Sequence, residues 1–178
     1  MTGPAPIEPR PAPSSTLFAT PEAGAESRIR RFRTRVRVRG EASHEAASVL
    51  EHTLEPGCIA MPVHRHPGIT EVLHVLDGIL VVRLGADERT APAGTSVVVP
   101  PGAWHTFWVA SDAPAAARVL AVVAPGGMER YYEEVAAQLR ADDRPDMPGV
   151  RAASERHGID VDMTSLWDLV ERHGLELA

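Results

Sequence analysis

The sequence predicts an all-β domain followed by α-helices. Three observations carry that prediction: short β-branched runs between residues 45 and 125, Gly and Pro turn signals spaced about ten residues apart, and helical periodicity after Pro125-Gly126-Gly127. With 178 residues, 44% of them apolar, the chain can bury one sizeable core.

Residues 1–27 are rich in Pro, Ala, Ser and Thr without a period, so they bury too little surface to offset the entropy of ordering and read as a flexible arm. Arg28 to Arg39 then holds seven arginines and no acid. Arg33, Arg35, Arg37 and Arg39 alternate with Phe32, Thr34, Val36 and Val38, the period of a half-buried strand. The stripe reads as an edge strand whose charges discourage aggregation and pair with the acidic body or a second subunit; an anion-binding stripe is the other reading.

The strands follow as AASVLEHTL, IAMPVHRH, ITEVLHVL, ILVVRL, TSVVVP, HTFWVA and RVLAVVAP, punctuated at Pro56-Gly57, Pro67-Gly68, Asp77-Gly78, Gly85-Ala86-Asp87, Ala93-Gly94 and Pro101-Gly102. This pattern suits a sandwich or small barrel. Beyond it, MERYYEEVAAQLR is predicted helical, with Met128, Tyr131, Tyr132, Val135 and Leu139 as the apolar stripe that packs on the outside of the β domain. A polar linker, ADDRPDMPG, precedes a short helix ending near His157-Gly158. A last helix runs from Thr164, its candidate N-cap, to His173, with Gly174 to end it. The domain plan is thus an arm at 1–27, a β-barrel with its basic strand at 28–125, and a helical extension at 126–178.

Composition narrows the function. The 24 acidic side chains exceed the 18 basic ones, all arginine, which argues against a nucleic-acid partner. Cys58 is the single cysteine, and the amino terminus has neither a charged nor an apolar leader region, which predicts a cytoplasmic protein without disulfides. The longest uncharged stretch, Thr90 to Ser111, contains Pro92, Pro100, Pro101, Gly102 and His105, so no membrane span is expected.

Four side chains carry metal-ligand chemistry. His64 and His66 project from one face of a strand; Pro67-Gly68 breaks that strand and lets Glu71 return toward them; His105 lies on a separate strand that a barrel can bring opposite. Three imidazoles and one carboxylate suit iron, nickel, manganese, copper or zinc, with positions left open for water and substrate. Around them the chain resembles the cupin superfamily. The first cupin motif, G-x5-HxH-x3,4-E-x6-G, is present as Gly57, His64, His66, Glu71 and Gly78 with one extra residue before His64. The second, G-x5-P-x-G-x2-H-x3-N, is present as Gly94, Pro100, Gly102 and His105, with Val109 in place of Asn.

The resemblance implies a cupin-type double-stranded β-helix, a jelly-roll barrel, with one divalent transition metal on His64, His66, Glu71 and His105, Glu71 also accepting a proton, and assembly as a homodimer. The segments HRHP and PGGMERYYEE resemble small bacterial cupins grouped with quercetin 2,3-dioxygenases, which implies dioxygenase-type chemistry on a small enolic or phenolic substrate. A non-redox cyclase, isomerase or lyase of the polyketide-cyclase type is the alternative, and a non-catalytic ligand-binding barrel a third. Trp104, Phe107 and Trp108, flanking His105, are the candidate substrate-pocket wall.

The remaining candidates are assigned structural roles. His74 is turned from the ligand face by alternation, and Arg65 faces outward into solvent. Ala60 and Pro62 fall on the ligand side. Cys58 reads as a small buried hydrophobe. His44, His52, His157 and His173 read as surface or locally hydrogen-bonded residues.

Overall fold

The computed structural model describes residues 19–138 and 146–177. The arm up to residue 18, the start of the predicted linker and Leu139 of the predicted stripe lie outside the described residues.

The chain runs through β1 (Glu26–Ile29), β2 (Phe32–Val38), a 3-10 turn (Gly40–Ser43), β3 (Ser48–Leu54), β4 (Cys58–Ile59), β5 (Val63–Arg65), β6 (Thr70–Asp77) and β7 (Ile79–Leu84). It continues as β8 (Asp87–Pro92), β9 (Ser96–Val99), β10 (His105–Trp108), β11 (Ala117–Ala124), α1 (Met128–Ala137), α2 (Met147–Arg156), β12 (Asp160–Asp162), α3 (Thr164–His173) and β13 (Glu176–Leu177). Among the described residues the strands form two sheets, one ordered β1-β2-β3-β11-β6-β9 and the other β12-β5-β10-β4-β13, with β7 pairing β10 and β8.

Alternation determines what faces inward. Ser48, Leu50, His52 and Leu54 of β3, Glu71, Leu73 and Val75 of β6, and Ala117, Val119, Ala121 and Val123 of β11 are buried while their neighbours are more exposed. These inner faces build the main core with Phe32, Leu80, Val82 and Phe107.

The basic stripe is not an edge. β2 lies between β1 and β3, because the chain turns at Arg30, in the left-handed region at φ 48°, and folds Glu26–Ile29 back along it. Residues 26 and 27, read as part of the arm, belong to this strand. Three of the four stripe arginines meet acids of their own chain: Arg35 on Glu26 at 2.7 Å, Arg37 on Glu51 at 2.6 Å and Arg39 on Glu133 at 2.5 Å.

The helical extension is built into the barrel. Met128, Tyr131, Tyr132 and Val135 of α1 join the main core instead of covering its outside, and Tyr132 reaches Phe32 and His52 at ring separations of 5.7 and 5.2 Å. The start of α1 is clipped down by buried Glu129, which accepts from the Gly40 N–H at 2.9 Å and the Ser48 hydroxyl at 2.5 Å. Gly126 is required there, since a Cβ would lie 2.8 Å from the Gly40 Cα.

The helix α2 begins at Met147, inside the predicted linker, with Pro148 in its first turn, where the missing N–H costs nothing. At α3, Thr164 is the first helical residue and not the cap. The Asp162 carboxylate accepts from its N–H at 2.9 Å and its hydroxyl at 2.6 Å, while Gly174 ends the helix at φ 61°. Leu166 and Leu169 of α3, with Leu175, cover Ile59, Val63 and Trp108 on the outer face of the second sheet, forming a second core. Among the described residues no helix is long and apolar enough to cross a membrane.

Candidate metal centre

Strand pairing assembles the site. His64 on β5 and His105 on β10 are direct cross-strand partners, and His66 follows just past β5, its carbonyl accepting the Gly102 N–H at 2.8 Å. That last bond ties the first histidine segment to the proline-glycine turn preceding His105. Glu71 comes from β6 in the facing sheet, where its register partners are Val99 and Val123. Thus one sheet supplies the three imidazoles and the other the carboxylate.

The three histidines are buried, and one ligand nitrogen of each lies within 4.8 Å of the others. The other ring nitrogens fix two of the tautomers: His64 Nδ1–H donates to the Pro62 carbonyl at 2.9 Å and His105 Nδ1–H to the Ala103 carbonyl at 3.0 Å. That leaves Nε2 of each ring as the atom turned away from the backbone, oriented as in ligating histidines. His66 Nδ1 is buried with no partner among the described residues. His105 Nε2 stands 3.1 Å from the Glu71 carboxylate; a lone pair facing an anion at that distance needs a proton or a metal cation between them. Glu71 touches His105 without lying close to all three histidines, so the tight cluster is the three imidazoles and the carboxylate joins at its rim.

The electrostatics suit a cation. Burial, with His105 and His66 alongside, holds the His64 imidazole well below its ordinary value. Burial lowers His66 to about 4. Both present neutral imidazole at pH 7, the form that ligates metal. Burial pushes Glu71 upward, but the hydrogen bond and charge of His105, with His66 and His52 nearby, outweigh it and hold the group below the ordinary carboxylate range.

The flanking aromatics divide. Phe107 shares the His105 face and lies in the main core, whereas Trp108 sits in the second core, 4.9 Å from the His173 ring, and Trp104 packs against the same cluster. Trp104 and Trp108 are therefore buttresses behind the sheet and do not line the histidine side; their odd offsets from His105 carry that information. Arg65 is not free in solvent, being paired with Asp160 at 2.8 Å and stacked 4.8 Å from the Trp104 ring.

His74 bonds Ser96 at 2.9 Å on the outer face. Cys58 is buried, its thiol pushed up to about 12 by burial, so it holds no thiolate. His52 departs most from expectation: it is fully buried inside the barrel. The signal was in the run SVLEHTL, where His52 alternates in phase with Leu50 and Leu54. A groove of about 880 Å³, lined by Met61, Pro62, Tyr131, Tyr132, Met147 and Ile159, opens between the barrel and the extension, and none of the four site residues lines it.

The cupin domain family model matches residues 50–127, a span holding all four side chains. No curated protein matches the chain. Among solved structures it is similar to KdgF from Halomonas sp., with TM-score 0.56 and 14% identity over 65% of this chain and 99% of that one. It is similar to a predicted oxalate decarboxylase from Thermotoga maritima, with TM-score 0.53 and 19% identity over 62% and 99%. It is also similar to Pac13, a nucleoside dehydratase from Streptomyces, with TM-score 0.50 and 19% identity over 65% and 88%. With two facing sheets, a matched cupin domain and these structural likenesses, the barrel of this chain has the cupin fold.

Proposed function

We propose that the protein is a metal-dependent enzyme acting on a small enolic or phenolic substrate at His64, His66, His105 and Glu71, with dioxygenase-type chemistry. The observation that carries this reading is the convergence of three buried imidazoles, two of them oriented by backbone carbonyls and the third with an orphaned buried nitrogen. A bound transition metal supplies Lewis acidity that eases loss of the substrate's hydroxyl proton and, when redox-active, a route for dioxygen. The chain's own part is to hold His64 and His66 neutral and the three imidazoles aligned, to exclude water by burial, and to offer Glu71 as the acceptor of that proton. Phe107, on the His105 face, gives an apolar surface beside the reacting group.

A second reading keeps these residues and omits oxygen. The likeness to proteins described as a predicted oxalate decarboxylase and a nucleoside dehydratase supports non-redox lyase or isomerase chemistry, for which a polarised oxygen and the Glu71 base suffice. Elemental analysis of protein expressed with mixed transition metals, beside a His64→Ala/His105→Ala variant, tests the site. Near-stoichiometric metal lost in the variant supports it, and no metal in either protein overturns it. Oxygen uptake with enolic substrates then separates the two chemistries.

A further inference from the structure

In the six-stranded sheet, Val38, Val49, Val122, Val72 and Val98 are successive register partners across β2, β3, β11, β6 and β9. Val49, Val122 and Val72 alternate with buried neighbours and so point away from the core. Val98 is 57% exposed, the other four are half-buried, and Leu120 lies two residues from Val122 on the same face. On the second sheet α3 covers the outer face. The described residues supply no such helix here; the stretch at residues 20–23 is held by Arg35 and Arg37 at the β2 end. A contiguous apolar row on an outer face marks an interaction surface.

The charges around the row identify its occupant. Arg35, Arg37, Arg39 and Arg118 each meet an acid of their own chain. Arg28 and Arg33 are exposed, stand directly opposite each other on β1 and β2, and meet no acid among the described residues. Like charges so placed destabilise a sheet unless an anion joins them. Toward the other side of the face, Asp77 on β6 is the register partner of Arg118. Its carboxylate accepts the Gly78 N–H at 2.9 Å and has no ion pair among the described residues.

We propose that a second copy of this chain packs on this face, sheet against sheet, about a two-fold axis running along the strands between β3 and β11. Such an axis keeps each row in place and reverses the strand order, so β2 of one protomer meets β6 of its partner. Valine row then meets valine row, and Arg33 of each protomer meets Asp77 of the other, an ion pair that neither side chain has alone. The face is six strands wide and seven residues long on β3, roughly 700 Å² at ordinary strand spacing and close to the ~800 Å² per partner of a stable interface. This inference is independent of the metal-centre reading.

Sedimentation velocity of the full chain at micromolar concentration tests it, with circular dichroism as the check on folding. The parent runs at twice its 19.1 kDa chain mass. Val122→Glu, which sets two carboxylates into the apolar centre, raises the dissociation constant about hundredfold, and Arg33→Asp raises it about tenfold. Arg33→Asp/Asp77→Arg reverses both partners of the pair and returns the constant to within about threefold of the parent, a rescue that damage to the fold could not mimic. If Val122→Glu does not fold, Val98→Glu replaces it, since that position is open in the single chain. A monomeric parent, a dimer indifferent to the glutamate variant, or a double variant as weak as Arg33→Asp overturns the proposal. In a monomeric parent, slow thiol labelling of Val98→Cys assigns the valine row to residues 1–18 of the same chain, and prompt labelling leaves it to a different protein.

Discussion

Replacing His52 by phenylalanine should make the metal-free protein less sensitive to acid. The unfolded chain protonates this imidazole near the ordinary value of 6.5, whereas burial holds it to about 4 in the folded chain. Between those values the unfolded state binds more protons, so the stability is present in full above pH 6.5 and is lost as pH falls toward 4. Between pH 7 and pH 4.5 one such histidine removes about 2–3 kcal/mol, a sizeable part of the stability of a domain this size. Urea unfolding at the two pH values, in a chelator, measures the drop for parent and variant. His64 and His66 contribute equally to both proteins and cancel, as does any packing change from the larger ring. A pH-dependent drop in His52→Phe equal to that of the parent would refute the reasoning.

Three further outcomes follow from the packing. Glu129→Ala strands the Gly40 N–H and the Ser48 hydroxyl and should cost about 3–5 kcal/mol in urea unfolding, with Glu129→Gln less damaging because it keeps an acceptor. Leu169→Ala, beneath α3 against Trp108, should cost about 2–5 kcal/mol and shift Trp108 fluorescence toward that of a solvated indole. Cys58 should react with a thiol reagent at pH 8 only at the rate of unfolding, and prompt labelling of the folded protein would contradict its burial.

The fold class was legible in the alternating runs and their Gly and Pro punctuation. His64, His66, Glu71 and His105 were singled out by their spacing together with the resemblance of the surrounding glycines and prolines to the cupin motifs. The missed elements are those whose existence depends on distant partners. β8, DERTAP, is absent from the apolar runs because Asp87, Glu88 and Arg89 face solvent or α3: Glu88 meets Arg172 at 3.1 Å and His173 at 3.2 Å. β12 and β13 are three and two residues long and are defined only by pairing with β5 and β4. For Trp104 and Trp108 the alternation argument was available and proximity to His105 overrode it; for His52 the absence of a second histidine at ligand spacing hid a residue whose partner, Thr34, is eighteen positions away.

β12 pairs with β5 so that Val161 stands opposite His64, and α3 covers Ile59, Val63 and Trp108. A chain cut at residue 127, where the recognisable cupin segment stops, would leave the ligand-bearing strand as a bare edge and strip an indole and two aliphatic side chains of their cover, an invitation to aggregate. The smallest piece worth expressing therefore runs through Leu177.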